Sequence, residues 1–136
     1  MVEYDAKLGM DFVNEVGKWM RHCKETVFSS DPTVRIACEP YEKILEMGDR
    51  ALPYIHQAVT LPEIRTFPIF GWSSAMRGII GESQYEVPQE LQGNVDGIGL
   101  YVKRWLEEHD ETLEECLSTK FFRSDLKQNY KSIFDN

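Results

Sequence analysis

The sequence predicts an all-α fold: helix pairs packed antiparallel in a single compact domain. Three observations predict it. Every patterned segment repeats its apolar residues with a period near 3.6, and none alternates apolar and polar side chains as a half-buried strand does. A link of only Gly48-Asp49 joins two of these segments, and a link that short forces antiparallel neighbours. The chain has 136 residues, the size of one domain, and 42% of them are hydrophobic, enough for one core.

The first helix is predicted over residues 5–24. Leu8, Phe12, Val16, Trp19 and Cys23 form one apolar stripe, widened by Val13 and Met20, while Lys7, Asn14, Lys18 and Arg21 fall off it. Ser29, Ser30 and Asp31 break the pattern. Asp31 before Pro32 reads as an N-cap with proline at the first helical position, so a short helix to about Cys38 is expected. Pro40 lacks an N–H and must begin a new helix. Its stripe is Tyr41, Ile44 and Leu45, and Gly48 is placed to end it. Asp49 is expected to cap the next helix, residues 50–59, with Leu52, Ile55 and Val59 inward and Pro53 tolerated in the first turn.

Residues 61–68 contain Pro62 and Pro68 and are predicted to be a connection. A helix over residues 72–80 carries Trp72, Ala75, Met76 and Ile79 inward, with Gly81 as its stop. Residues 81–93 form the longest polar stretch and are predicted to be a surface loop. The last clear helix, residues 94–109, has Asn94 as its cap and a face of Val95, Ile98, Val102, Trp105 and Leu106. Trp19, Trp72 and Trp105 each lie on an apolar stripe and are assigned to the core. In residues 124–136 the apolar residues Leu126, Tyr130 and Ile133 continue a stripe begun by Phe122. An apolar face of that size must dock, either on its own domain or on a partner.

A scattered set of residues carries a resemblance. It runs through Trp19, Glu25-Thr26, Ser29-Ser30, the segment from Pro40 to Gly48, Ala51-Leu52-Pro53, Trp72, Ala75-Met76, Ile79 to Glu82, Gly93-Asn94-Val95 and Trp105. In these positions the chain resembles a family of uncharacterised small bacterial proteins with a HEAT-like helical pattern. The resemblance implies an architecture, stacked HEAT-like helix pairs, which commonly bind other macromolecules along a curved face. It implies no activity, cofactor or catalytic residue.

Charge bounds the partners. The formal net charge of -8 repels nucleic acid and anionic membrane and favours a basic partner surface. No run of about 18 apolar residues could cross a bilayer, and residues 1–10 lack the apolar stretch of a signal peptide. Cys23, Cys38 and Cys116 are odd in number, widely spaced and without CxxC, so reduced thiols and a cytoplasmic setting are expected.

Constellations that carry chemistry are sparse. The three histidines, His22, His56 and His109, fit no HxxxH or HExxH spacing and are assigned to polar faces. Ser73-Ser74 follows Trp72 with no GxSxG elbow around it. The string Gly93 to Gly99 is not GxGxxG and has no strand before it. No catalytic residue, cofactor site or metal site is therefore expected. The one patterned feature is acidic: Glu107, Glu108, Asp110, Glu111, Glu114 and Glu115 crowd a short segment, followed by Lys120, Arg123, Lys127 and Lys131. These six acids are the candidate partner-binding residues. The reading is a non-enzymatic protein-binding module, an adaptor, inhibitor or immunity-type protein acting on a basic partner. The competing reading is a small hydrolase or transferase using Cys38 or His56, which lie on neighbouring predicted helices.

Overall fold

A computed structural model describes residues 6–29 and 31–109. Among the described residues the fold is all-α, with no strand. Six α-helices follow one another: α1 (Ala6–Glu25), α2 (Glu39–Glu46), α3 (Leu52–Val59), α4 (Pro62–Thr66), α5 (Gly71–Ile80) and α6 (Val95–His109). Short 3-10 turns at Pro32–Ile36, Gly48–Ala51 and Gln89–Leu91 connect them. The expected tail helix over residues 124–136 lies outside the described residues, as do Cys116 and Asp110 to Glu115.

The local signals act as the residue chemistry requires. The Asp31 carboxylate accepts the Thr33 N–H at 3.0 Å and the Thr33 hydroxyl at 2.7 Å, holding the turn that leads to Ile36. Pro40 stands in the first turn of α2, where a missing N–H costs nothing. Gly48 leaves α2 at φ +63°, a conformation open to glycine at little cost. Asn94 caps α6, its side-chain oxygen accepting the Gly97 N–H at 2.9 Å.

Two expectations are corrected. Asp49 does not cap α3: the chain makes the 3-10 turn Gly48–Ala51 first, and the residue before α3 is Ala51, with no side-chain cap. Residues 61–68 are not a plain connection, because Pro62–Thr66 forms α4. Leu61 is extended and Pro62 pre-sets the helical φ, so this proline starts a helix rather than preventing one. Pro68 then stops it. The link to α5 passes through Ile69 at φ +57°, a strained value for a β-branched residue, and closes with the Gly71 N–H donating to the Pro68 carbonyl at 2.9 Å.

α1 packs on α2 and on the Pro32–Ile36 turn, α3 on α6 and α4, and α5 on α2 and α6. An aromatic cluster fills the centre. Trp19 meets Trp72 edge-on with centroids 4.8 Å apart and lies 5.2 Å from Tyr41, while Phe12 bridges Trp72 and Tyr54. Both indole N–H groups, buried, donate to backbone carbonyls: Trp19 to Arg35 at 2.8 Å, Trp72 to Ile64 at 2.9 Å. The first bond fixes the turn after α1, and the second fixes α4 against α5. Arg35, nearly buried, donates from Nη1 to the Phe67 carbonyl at 2.6 Å and lies over the Phe67 ring.

Three further placements differ from expectation. Trp105 is only partly buried at the core's edge, where it stacks on His109 at 4.1 Å and meets Tyr85 edge-on. The polar stretch 81–93 is no purely surface loop, because Tyr85 and Val87 are buried. His56 is 1% exposed, not on a polar face: α3 is enclosed on all sides, and every residue from Pro53 to Val59 is buried.

Candidate functional site

Two features of the described surface carry recognisable chemistry: the acidic end of α6 and a groove between α5 and α6. The α6 end carries two of the six candidate acids. Glu107 and Glu108 are both exposed in its last turns. The other four, Asp110, Glu111, Glu114 and Glu115, lie outside the described residues.

The two glutamates differ in surroundings. The Glu107 carboxylate accepts from Lys103 Nζ at 3.1 Å, one helical turn back, and lies 3.6 Å from His56 Nε2. Partial burial pushes the Glu107 carboxyl up, but the hydrogen bond and charge of Lys103, with the His56 imidazole, outweigh it and hold the group below its ordinary value of 4.5. The sign for stability follows. A depressed folded-state value means that the ionised carboxylate favours the fold. The contribution is complete above pH 4.5 and is lost as pH falls through the lower folded value. The side chain is 40% exposed, so solvent screens the pair and the effect is small. Wild-type protein is expected to lose more stability than Glu107→Gln in thermal melts stepped downward from pH 4.5. Equal slopes would show that the contact contributes nothing.

The groove is the second feature. α5 and the turn before it supply Phe70, Ser73, Ser74 and Arg77 to one wall, while Val87, Gln92, Gly93 and Ile98 form the other, around about 400 Å³. Its polar groups are connected to buried tyrosines. Tyr41 donates its hydroxyl to Ser74 Oγ at 2.9 Å, and Ser73 Oγ shares a hydrogen bond with the Tyr85 hydroxyl at 2.8 Å. Burial pushes the Tyr85 phenol up to about 12, against the lowering effects of Ser73 and Arg77. It also raises Tyr41. Both phenols therefore keep their protons at neutral pH. Among the described residues no hydrogen bond or ion pair engages the exposed Arg77 guanidinium.

Sequence reasoning did not find this groove. Its walls come from residues 70–77 and 87–98, which share no local period, and the buried side of the 81–93 stretch shows only as Tyr85 and Val87 two residues apart. Ser73-Ser74, set aside for lack of a nucleophile elbow, turns out to be half of the polar lining.

Cys38 and His56 lie in different surroundings. Cys38 sits near Tyr41, Glu42 and Cys23, and His56 faces Glu107 across the α3–α6 contact. Cys23 and Cys38 are free thiols. Burial pushes Cys23 up to about 12, beyond what Arg35 draws back, and also raises Cys38, so both are protonated at neutral pH. Among the described residues no group of three or more His, Cys, Asp or Glu side chains is placed to hold a metal ion. No described helix is long and apolar enough to cross a membrane. No protein-family model, no curated protein and no solved structure matches the chain.

Proposed function

We propose that this chain is a non-enzymatic protein-binding module, an adaptor, inhibitor or immunity-type protein, that engages a basic partner through the acidic end of α6. The observation that carries the reading is the exposed carboxylate pair Glu107 and Glu108 on the last turns of α6, which continues in sequence into Asp110, Glu111, Glu114 and Glu115. Like charges crowded in so short a segment repel one another, and a cationic surface relieves that repulsion on contact. The net charge of -8 adds long-range attraction to the same partner and disfavours nucleic acid and anionic membrane. Stacked helix pairs of the HEAT-like kind suit such a role, since they offer an extended rigid face. Two protonated free thiols suit a reducing, cytoplasmic setting.

The test is charge reversal. A variant with Glu108, Glu111, Glu114 and Glu115 each changed to Lys should keep the far-UV circular dichroism of the wild type. Purified from its native host at low salt, the wild-type chain is expected to bring down a basic protein in stoichiometric amount and to lose it as salt rises, while the variant brings down none. A partner retained by the variant, or no stoichiometric partner of the wild type, would overturn the proposal.

A further inference from the structure

We propose that the groove between α5 and α6 binds a small molecule with one carboxylate and an apolar body, the carboxylate held by Arg77 and Ser74 and the body seated against Phe70, Val87 and Ile98. This site is separate from the acidic end of α6, and the inference does not depend on the protein-binding reading.

The argument rests on a count of hydrogen-bonding protons. Ser74 Oγ accepts the Tyr41 proton, so its own O–H remains to be given away. Ser73 and Tyr85 hold two hydroxyl protons between them, and their mutual bond uses one. The Arg77 guanidinium has only donors, and no described residue accepts them. The lone pairs still free on the two serine oxygens are fewer than these protons, most of which Arg77 supplies, and the Gln92 amide opposite brings two lone pairs and two donors that balance. A ligand that fits must accept hydrogen bonds and donate few.

An ionised carboxylate is such a group, and its two oxygens match the guanidinium fork. One guanidinium balances one negative charge, so a monocarboxylate fits better than a phosphate dianion in a chain already at -8. The apolar part of the ligand follows from the rest of the lining. Phe70, Val87 and Ile98 offer carbon surface that a bare inorganic anion would leave wet. The volume of about 400 Å³ lies in the range of small-molecule sites.

The experiment is a titration of the full-length, isotope-labelled protein followed by amide chemical shifts. The probes are hexanoate, phenylacetate and benzoate, with hexanol as the uncharged control. At least one carboxylate should give saturable shifts centred on Ser73, Ser74, Arg77 and Gln92, and hexanol should give none. Arg77→Met keeps an unbranched apolar stem and removes the fork. Because the Arg77 side chain is exposed and makes no bond to a described residue, the variant should melt as the wild type does. Its carboxylate affinity should fall roughly 10- to 100-fold, the usual worth of a hydrogen bond to a charged group. The proposal is overturned if no carboxylate saturates, if hexanol shifts the same amides equally, or if Arg77→Met binds as tightly as the wild type. A peptide with a free apolar C-terminal residue that binds more than tenfold tighter than any of the three acids would make the groove a peptide site and remove the small-molecule assignment.

Discussion

Trp19→Ala is expected to be the most damaging single truncation in the described fold. The side chain is fully buried and touches the aromatic cluster on two sides, 4.8 Å from the Trp72 centroid and 5.2 Å from that of Tyr41. Removing an indole from such a site costs about 3–5 kcal/mol, because its neighbours relax only partly into the space. A second loss adds to it. The Arg35 carbonyl, which accepts the indole N–H at 2.8 Å, loses that donor, at about 1 kcal/mol. A domain of this size is stable by roughly 5–15 kcal/mol in total, so the variant should be largely unfolded or melt far below the wild type. Trp19→Phe separates the two losses, since it keeps an aromatic ring in place but has no N–H to donate. Urea titration of the three proteins should give the order wild type, Trp19→Phe, Trp19→Ala. A Trp19→Ala protein within 1 kcal/mol of the wild type would mean that the aromatic cluster does not hold α1 to α5.

Trp19 also marks what the sequence makes legible. A stripe recurring at helical spacing from Leu8 to Cys23 identifies the buried face of α1, since burial and period have one cause there. Pro40, Gly48 and Asn94 act through the backbone of their own neighbourhood, and each does in the fold what its chemistry requires. Legibility ends where a residue's fate depends on distant partners. His56 is polar by composition, yet it lies on a helix packed all round, and nothing local shows that enclosure. Tyr85 sits in a polar stretch and is buried because α5 and α6 converge on it, through Ser73 on one side and Trp105 on the other. Trp105 shares its stripe with Val102 and Leu106, but near the end of α6 its ring is only partly buried and stacks on the exposed His109. α4 is only five residues long, too short for its period to show, so Pro62 at its start and Pro68 just beyond it are the stronger local signal. The acidic candidates were legible as charge. The groove was not, because its donors become a set only after the chain has folded.

Gly71→Ala is also expected to lower stability, with a different physical origin. Gly71 opens α5 where the chain arrives from the strained Ile69, and its backbone approaches the indole of Trp19. A methyl group there would press into Trp19 Cζ2, stand 2.9 Å from Cη2 and 3.0 Å from Pro68 Cβ. None of these atoms can yield cheaply. The indole is tethered by its bond to the Arg35 carbonyl and wedged between Trp72 and Tyr41. Pro68 is a rigid ring. Alanine is the better helix former by about 1 kcal/mol, so on propensity alone the change would stabilise the protein. Overpacking a closed core costs typically 1–3 kcal/mol and should outweigh that gain. Gly97→Ala is the control. The atoms nearest its added methyl belong to the side chain of Asn94, exposed and able to rotate, although rotation would give up the cap on Gly97 N–H. Gly97→Ala is therefore expected near the wild-type midpoint in urea titration, and Gly71→Ala clearly below it. Combined with Trp19→Phe, which trims the ring, Gly71→Ala should cost less than it does alone, since the two changes act on one contact. Simple additivity of the pair would mean that the penalty at Gly71 arises elsewhere than at the indole.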